Sequence, residues 1–254
     1  PTGAATATSP SVDWSDRGGA LVGAVRRARL TGALVEAHEQ GAVVLTEEQC
    51  DRLHEAHVDA LAWCLRIEDR MCTVVETLAD AGVDDVRVLK GPAIAHLDED
   101  DPSRRTFGDL DLLVRGRDLD RVIALLDVMG ATRPYAERRP GFDRRFAKSV
   151  TLTFPDGVEV DLHRTLCDGV HAVRLPVDRL WERPDRFAVG GVGLAALGPT
   201  ARVLHAAYHA VLGSSTPAPM SRRDLLGYLA RTDATVDDIG REAERWGGTA
   251  VLTE

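Results

Sequence analysis

The sequence predicts an α/β fold of the α+β kind: a small mixed sheet flanked by N-terminal helices and by a C-terminal helical subdomain. Three observations carry that reading. Within an expected core of residues 83–175, β-branched runs and helical patterns from Val86 to His163 follow the order strand, helix, strand, helix, strand, strand, as expected for helices packed on one mixed sheet. Apolar residues recur at helical spacing over residues 18–39 and 46–81, and helix signals return from Pro199 onward. With 254 residues and 44% hydrophobic content, the chain can build one large domain or two modest ones with real cores.

Residues 1–15 are mostly small and polar and read as a disordered lead-in. Residues 16–82 form a helical segment, expected as a cap or wing on the sheet. Its first helix spans residues 18–39. Thr46-Glu-Glu-Gln49 is a capping box that opens a long helix with Leu53, Leu61, Leu65, Met71, Val74, Val75 and Leu78 as apolar positions, and Gly82 stops it. His54 and His57 read as partly exposed helix residues, not ligands.

The sheet begins with Val86-Arg-Val-Leu89-Lys90-Gly91-Pro92. A strand ending at Gly91, with Pro92 at the first helical position, exposes backbone N–H groups beside a lysine, which suits a phosphate. Residues 98–108 are charged and turn-rich, and read as a loop too polar to pack. The chain then enters Asp109-Leu-Asp111-Leu-Leu-Val114. Side chains alternate along a strand, so Asp109 and Asp111 share one face while Leu110, Leu112 and Val114 point into a core. Two carboxylates held side by side repel, and a hard divalent cation would relieve them. An isolated Asp-x-Asp is more often a solvated strand end, so its neighbours decide.

Asp118 is placed to cap a helix running through Met129, and Gly130 to end it. Residues 138–148 form a basic loop containing Arg144, Arg145 and Lys148. Val150-Thr-Leu-Thr-Phe154 and Val158-Glu-Val-Asp161-Leu-His163 then flank Pro155-Asp156-Gly157, the chemistry of a hairpin turn. Val158, Val160 and Leu162 share the apolar face, leaving Glu159, Asp161 and His163 on the other. A third carboxylate is thereby available on a second strand.

Residues 176–254 are expected to be an all-helical subdomain after a Pro/Gly-punctuated stretch. A helix to Leu212 ends at Gly213 and carries His205 and His209 on one face, while Ser221-x-x-Asp224 and Thr235-x-x-Asp238 cap two more. The cleft between this subdomain and the sheet is the expected binding site. His163-x3-Cys167-x3-His171 has soft ligands at even spacing, but a structural zinc site wants a fourth, and none is evident.

A net charge of −9, with a single short basic piece at residues 138–145, disfavours nucleic acid as the bound partner. Four cysteines without Cys-x-x-Cys spacing, and no signal-peptide pattern, point to a reducing cytoplasm. No apolar stretch reaches the length of a membrane span.

Taken together and in order, Leu-Lys-Gly, Arg-x3-Asp-x-Asp-Leu-Leu-Val and Val-Asp-Leu-His-Arg resemble the nucleotidyltransferase superfamily with the DNA polymerase β-like fold. Within it, the chain is similar to a group of bacterial proteins described as uncharacterised nucleotidyltransferases. The specific motifs cover residues 86–164. The resemblance implies transfer of a nucleoside monophosphate from ATP or another NTP to an unidentified acceptor, with release of pyrophosphate. It also implies two Mg2+ ions, or Mn2+ in their place, on Asp109, Asp111 and Asp161. Lys90, Gly91 and Arg105 would bind nucleotide, and His163, His205 and His209 would line the cleft. Arg105 stands four positions before Asp109, as an arginine does in the family; its alternative is a salt bridge to the acids of residues 98–101. The superfamily's usual Gly-Ser is here Lys90-Gly91. The contrasting expectation is a catalytically silent protein that binds nucleotide or a partner on the same fold, against which the retention of three acids argues.

Overall fold

The computed structural model describes residues 12–13, 18–213, 216 and 218–253. In chain order the elements begin with β1 (Val12–Asp13), α1 (Gly18–Arg27), α2 (Thr31–Glu39), β2 (Val43–Val44) and α3 (Glu47–Asp80). The sheet region holds β3 (Val86–Leu89), α4 (Gly91–Leu97), β4 (Leu110–Val114), α5 (Leu119–Val128), α6 (Phe142–Phe146), β5 (Ser149–Thr153) and β6 (Glu159–His163). It is followed by α7 (Gly169–Arg174), β7 (Asp185–Val189), β8 (Val192–Ala196), α8 (Pro199–Leu212), α9 (Pro219–Arg231) and α10 (Val236–Arg245).

The main sheet is mixed and six-stranded, in the order β5-β6-β4-β3-β8-β7. Its alternation is the one the apolar pattern requires. Val88, Leu110, Leu112, Val114, Val160 and Leu162 face one layer with Val122 and Leu126 of α5. Leu89 and Leu113 face the opposite layer with Leu204 and Tyr208 of α8 and Trp246 beyond α10. Each face of the sheet is therefore sealed by helices, and Asp111, Asp161 and His163 lie on the face that α8 partly covers.

The N-terminal helices are more than a wing. Thr46 caps α3 with the full capping box. The first half of α3 packs through Leu53 and Ala56 on Val22 and Leu34, whereas Ile67, Met71, Val74 and Leu78 enter the main core beneath the sheet. The single helix expected over residues 18–39 is two helices, because Arg29 turns the chain with a φ of 59°. Val12–Asp13 of the expected lead-in pair in parallel with Val43–Val44, and the rest of that stretch lies outside the described residues.

The residues beyond position 176 are not all helical. The β7–β8 hairpin turns at Gly190-Gly191 and adds to the sheet, β8 running parallel to β3. A Gly-Gly between valines is a hairpin signal of the same kind as Asp-Gly, and it could have been read. Asp118 occupies the N-cap position of α5 without a side-chain cap bond. Ser221 and Asp224 lie inside α9 and are buried, because the helix starts earlier, at Pro219. Thr235 does cap α10 in a full capping box. None of the helices is long and apolar enough to cross a membrane among the described residues.

Candidate active site

Register brings the acids together. β4 and β6 are parallel neighbours in which Asp111 stands opposite Asp161, and β3 is the antiparallel neighbour in which Leu89 stands opposite Asp111. Lys90, one residue past Leu89, therefore comes to Asp111 from the other side: its Nζ donates to Asp111 Oδ1 at 2.8 Å. His163 donates from Nε2 to the same oxygen at 2.7 Å. Potential ligand atoms of Asp111, Asp161 and His163 all lie within 4.8 Å of one another. Asp161 accepts a hydrogen bond from the Thr151 hydroxyl, its register partner across the hairpin.

Asp111 is 2% exposed. Burial alone raises a carboxyl group, but the Lys90 ammonium and the His163 ring outweigh it and hold Asp111 well below the usual carboxylate range. The acid is thus ionised throughout the physiological range, as a cation ligand must be.

Asp109 lies just before β4 and outside that cluster. Its Oδ1 pairs at 3.2 Å with Nη1 of Arg29, with the two side chains 38% and 51% exposed. The mutual repulsion expected of the Asp-x-Asp pair is thus met by the protein's own cations, Arg29 on Asp109 and Lys90 on Asp111. Both cations sit on unusual backbone. Among the described residues, Arg29, Lys90 and Arg183 are the non-glycine residues with positive φ, and Lys90 has a φ of 48°. A side chain in such a conformation costs about 1–2 kcal/mol.

Two expected nucleotide ligands have other partners. Arg105 is buried, donating from Nε and Nη2 to the two carboxylate oxygens of Asp224, both at 2.8 Å, and from Nη1 to the Thr106 carbonyl. It joins the turn ahead of Asp109 to α9, and neither faces the open side nor pairs with the acids of residues 98–101. Gly91 is buried too. A Cβ there would come within 2.5 Å of Phe107 Cβ, so the glycine is required by the close packing of α4 on the 104–108 turn.

That turn is not a solvated loop. Arg105, Thr106 and Phe107 are all buried. Trp63 donates from its indole to the Gly108 carbonyl at 3.2 Å, and Thr106 donates its hydroxyl to the Arg29 carbonyl at 3.1 Å. The acids of the stretch are also partnered, Asp98 by Arg202 and Glu99 by Arg223. A polar sequence packs here because most of its polar groups find partners, one buried oxygen of Asp98 excepted.

The expected cleft under the C-terminal helices is nearly closed. Lys90, His205, His209, Ser221, Asp224 and Tyr228 line a cavity of about 20 Å³, which holds about one water. Burial, with the Lys90 ammonium nearby, pushes His205 well below its ordinary value and His209 down to about 4. Both are neutral at pH 7. A larger open groove, of about 900 Å³, lies between the 97–100 turn and α8, α9 and α10, and another lies beside the edge strand β5. The β5 groove encloses about 530 Å³, is lined by Tyr135, Phe142, Phe146, Lys148 and Ser149 among others, and reaches Thr151, the residue that donates to Asp161. His163, Cys167 and His171 form no metal cluster among the described residues.

The depressed histidine makes a pH prediction. The unfolded His209 takes a proton near pH 6.5 and the folded one only near pH 4, so protonation favours the unfolded chain. Its contribution to stability is complete above about pH 6.5 and is lost as the pH falls toward 4. Thermal melting across that window should show a smaller loss for His209→Gln than for the parent. Parallel curves would contradict the buried neutral imidazole.

A mixed sheet carrying an Asp-x-Asp at one strand's entry and a third acid on the parallel neighbour defines the nucleotidyltransferase class of fold. The chain belongs to the family described as uncharacterised nucleotidyltransferase, whose model matches residues 10–249. No curated protein matches it. Among solved structures it is similar to an antigenic nucleotidyltransferase-like protein from Paracoccidioides brasiliensis, at 14% identity over 74% of this chain and 85% of that one, with a TM-score of 0.45. It is also similar to the antibiotic-resistance factor ANT(2'')-Ia, at 14% identity over 73% and 97% of the two chains, with a TM-score of 0.48. A third likeness is to the lincosamide antibiotic adenylyltransferase LnuA in its lincomycin-bound form, at 11% identity over 65% and 97%, with a TM-score of 0.43.

Proposed function

We propose that the protein transfers a nucleoside monophosphate from ATP or another NTP to an acceptor hydroxyl, releasing pyrophosphate, in a Mg2+-dependent reaction. The observation that carries this reading is the opposition of Asp111 and Asp161 on adjacent parallel strands, with Asp109 two residues ahead of the first.

The donor set suits the ion. Mg2+ takes one or two carboxylates together with waters and substrate phosphates. Asp111 and Asp161 offer such oxygens: the protein donors, two on Asp111 and one on Asp161, all go to Oδ1 of each acid and leave Oδ2 for an ion. Asp109, Asp111 and Asp161 would hold the ion, or Mn2+ in its place. When bound, the metal neutralises charge on the triphosphate during an in-line displacement.

The chain's own groups supply the rest. Lys90 is placed to pass its charge from Asp111 to the phosphates, and His163 fixes the orientation of Asp111. Asp161, oriented by Thr151, takes the proton from the acceptor hydroxyl. The β5 groove gives the acceptor its approach to that acid. His205 and His209 remain neutral behind Lys90 and leave its charge uncompensated on that side.

The reaction class is tested by product. Incubation with each NTP, Mg2+ and a small-molecule cell extract should release pyrophosphate, and should not do so in EDTA. Nucleoside diphosphate in its place would mean transfer of the terminal phosphate and would overturn the reading.

A further inference from the structure

Arg29 carries no motif in the sequence, yet several contacts converge on it. It is the second residue past the end of α1, where its N–H bonds to the Arg26 carbonyl at 3.1 Å and the Leu30 N–H to the Val25 carbonyl at 2.9 Å. That pair of bonds is a Schellman cap, whose left-handed position is normally glycine; here an arginine has a φ of 59°. The Thr106 hydroxyl holds the Arg29 carbonyl at 3.1 Å, tying this cap to the turn that leads into Asp109. At Gly108, an added Cβ would lie 2.7 Å from Arg29 Cζ, so the missing side chain gives the guanidinium its place. From there Nη1 reaches Asp109 at 3.2 Å while half the side chain stays exposed.

A half-exposed ion pair returns less than a left-handed arginine costs. Pairing with Asp109 therefore does not by itself account for the residue. The same combination occurs at Lys90, which sits on the other acid of the Asp-x-Asp, whereas Arg183, the third positive-φ cation among the described residues, pairs with neither acid. Strained residues gather where a function over-determines them.

We propose that Arg29 is a triphosphate-binding residue, supplied to the site by the N-terminal helices; the proposal rests on the function given above. Its guanidinium pairs with Asp109 and would turn to phosphate oxygens when a nucleotide binds, a transfer suited to its planar fork of donors. It takes the place that the resemblance implied for Arg105, whose donors are spent on Asp224 and the Thr106 carbonyl.

The test is a calorimetric titration of the parent, Arg29→Gly and Gly108→Ala with ATP, GTP, CTP and UTP in Mg2+, alongside thermal melting of each. Arg29→Gly relieves the backbone and should melt at or above the parent while binding its best NTP roughly ten- to hundredfold more weakly, the scale of one lost charge-assisted contact. Gly108→Ala keeps every charge but displaces the guanidinium, and should weaken the same binding in the same direction. If the parent binds an NTP and Arg29→Gly binds it equally well, the proposal is overturned and the function stands. A lower melting temperature with unchanged affinity also overturns it, by making Arg29 a structural residue. A parent that binds no NTP in Mg2+ overturns both.

Discussion

Asp161→Asn should bind NTP within a fewfold of the parent and lose roughly three orders of magnitude or more in turnover, the scale of losing base assistance and charge positioning together. The two halves of that expectation come from different strands. Asp109 and Asp111 stand at the entry to β4 and within it, beside Arg29 and Lys90 respectively, and would keep the part in nucleotide binding proposed for them. Asp161 stands on β6, next to the groove at the β5 edge, where the acceptor would arrive. Asparagine preserves the shape and can still meet the Thr151 hydroxyl, but it cannot take a proton. If Asp161 were only a strand acid satisfied by Thr151, Asp161→Asn would keep most of its rate per folded molecule and change melting alone. Pyrophosphate release and melting measured on one preparation separate the two, and a near-normal rate removes Asp161 from the catalytic set.

Arg105→Ala should be among the most destabilising single changes in the chain. The Arg105–Asp224 pair is bidentate, with side chains 6% and 9% exposed, and spans from the turn before β4 to α9. Removing Arg105 leaves Asp224 with Arg223 alone, at 3.6 Å, and costs about 3 kcal/mol, the lower end of the scale for breaking a buried pair. For a chain of this size that is a drop of roughly 10 °C in melting temperature. The turn it holds positions Asp109 and Asp111, so turnover per folded molecule should also fall. Replacing both partners by apolar residues of similar volume, Arg105→Met with Asp224→Leu, should recover much of the stability. The contrary result is an Arg105→Ala protein that melts like the parent and binds NTP weakly, which would return Arg105 to the nucleotide.

The parts legible in the sequence were those written in local patterns. Period-two alternation assigned the faces of Leu110 to Val114 and Val158 to His163, and capping chemistry assigned the starts of α3 and α10. Even Thr151 was within reach, since the Asp156-Gly157 turn fixes the register that sets it opposite Asp161. What could not be read were pairings across long stretches of chain. Arg29 meets Asp109 across 80 residues, and Arg105 meets Asp224 across 119. Nothing local marks either partner. The 98–108 stretch reads as a solvated loop by composition and packs because Arg202, Arg223 and Asp224 arrive from α8 and α9, and Trp63 and Arg29 from the N-terminal helices. Burying it is a property of the assembled fold.

The most direct test of the metal–nucleotide site is calorimetric titration of the parent and of Asp109→Asn/Asp111→Asn with ATP and the other NTPs, in Mg2+ and in EDTA. The account predicts that the parent binds at least one NTP in Mg2+ and much more weakly in EDTA. The double variant should bind weakly in both, because the acids that recruit the cation are gone while Lys90 and Arg29 remain. Equal affinity of parent and variant in Mg2+ would contradict the assignment of these acids.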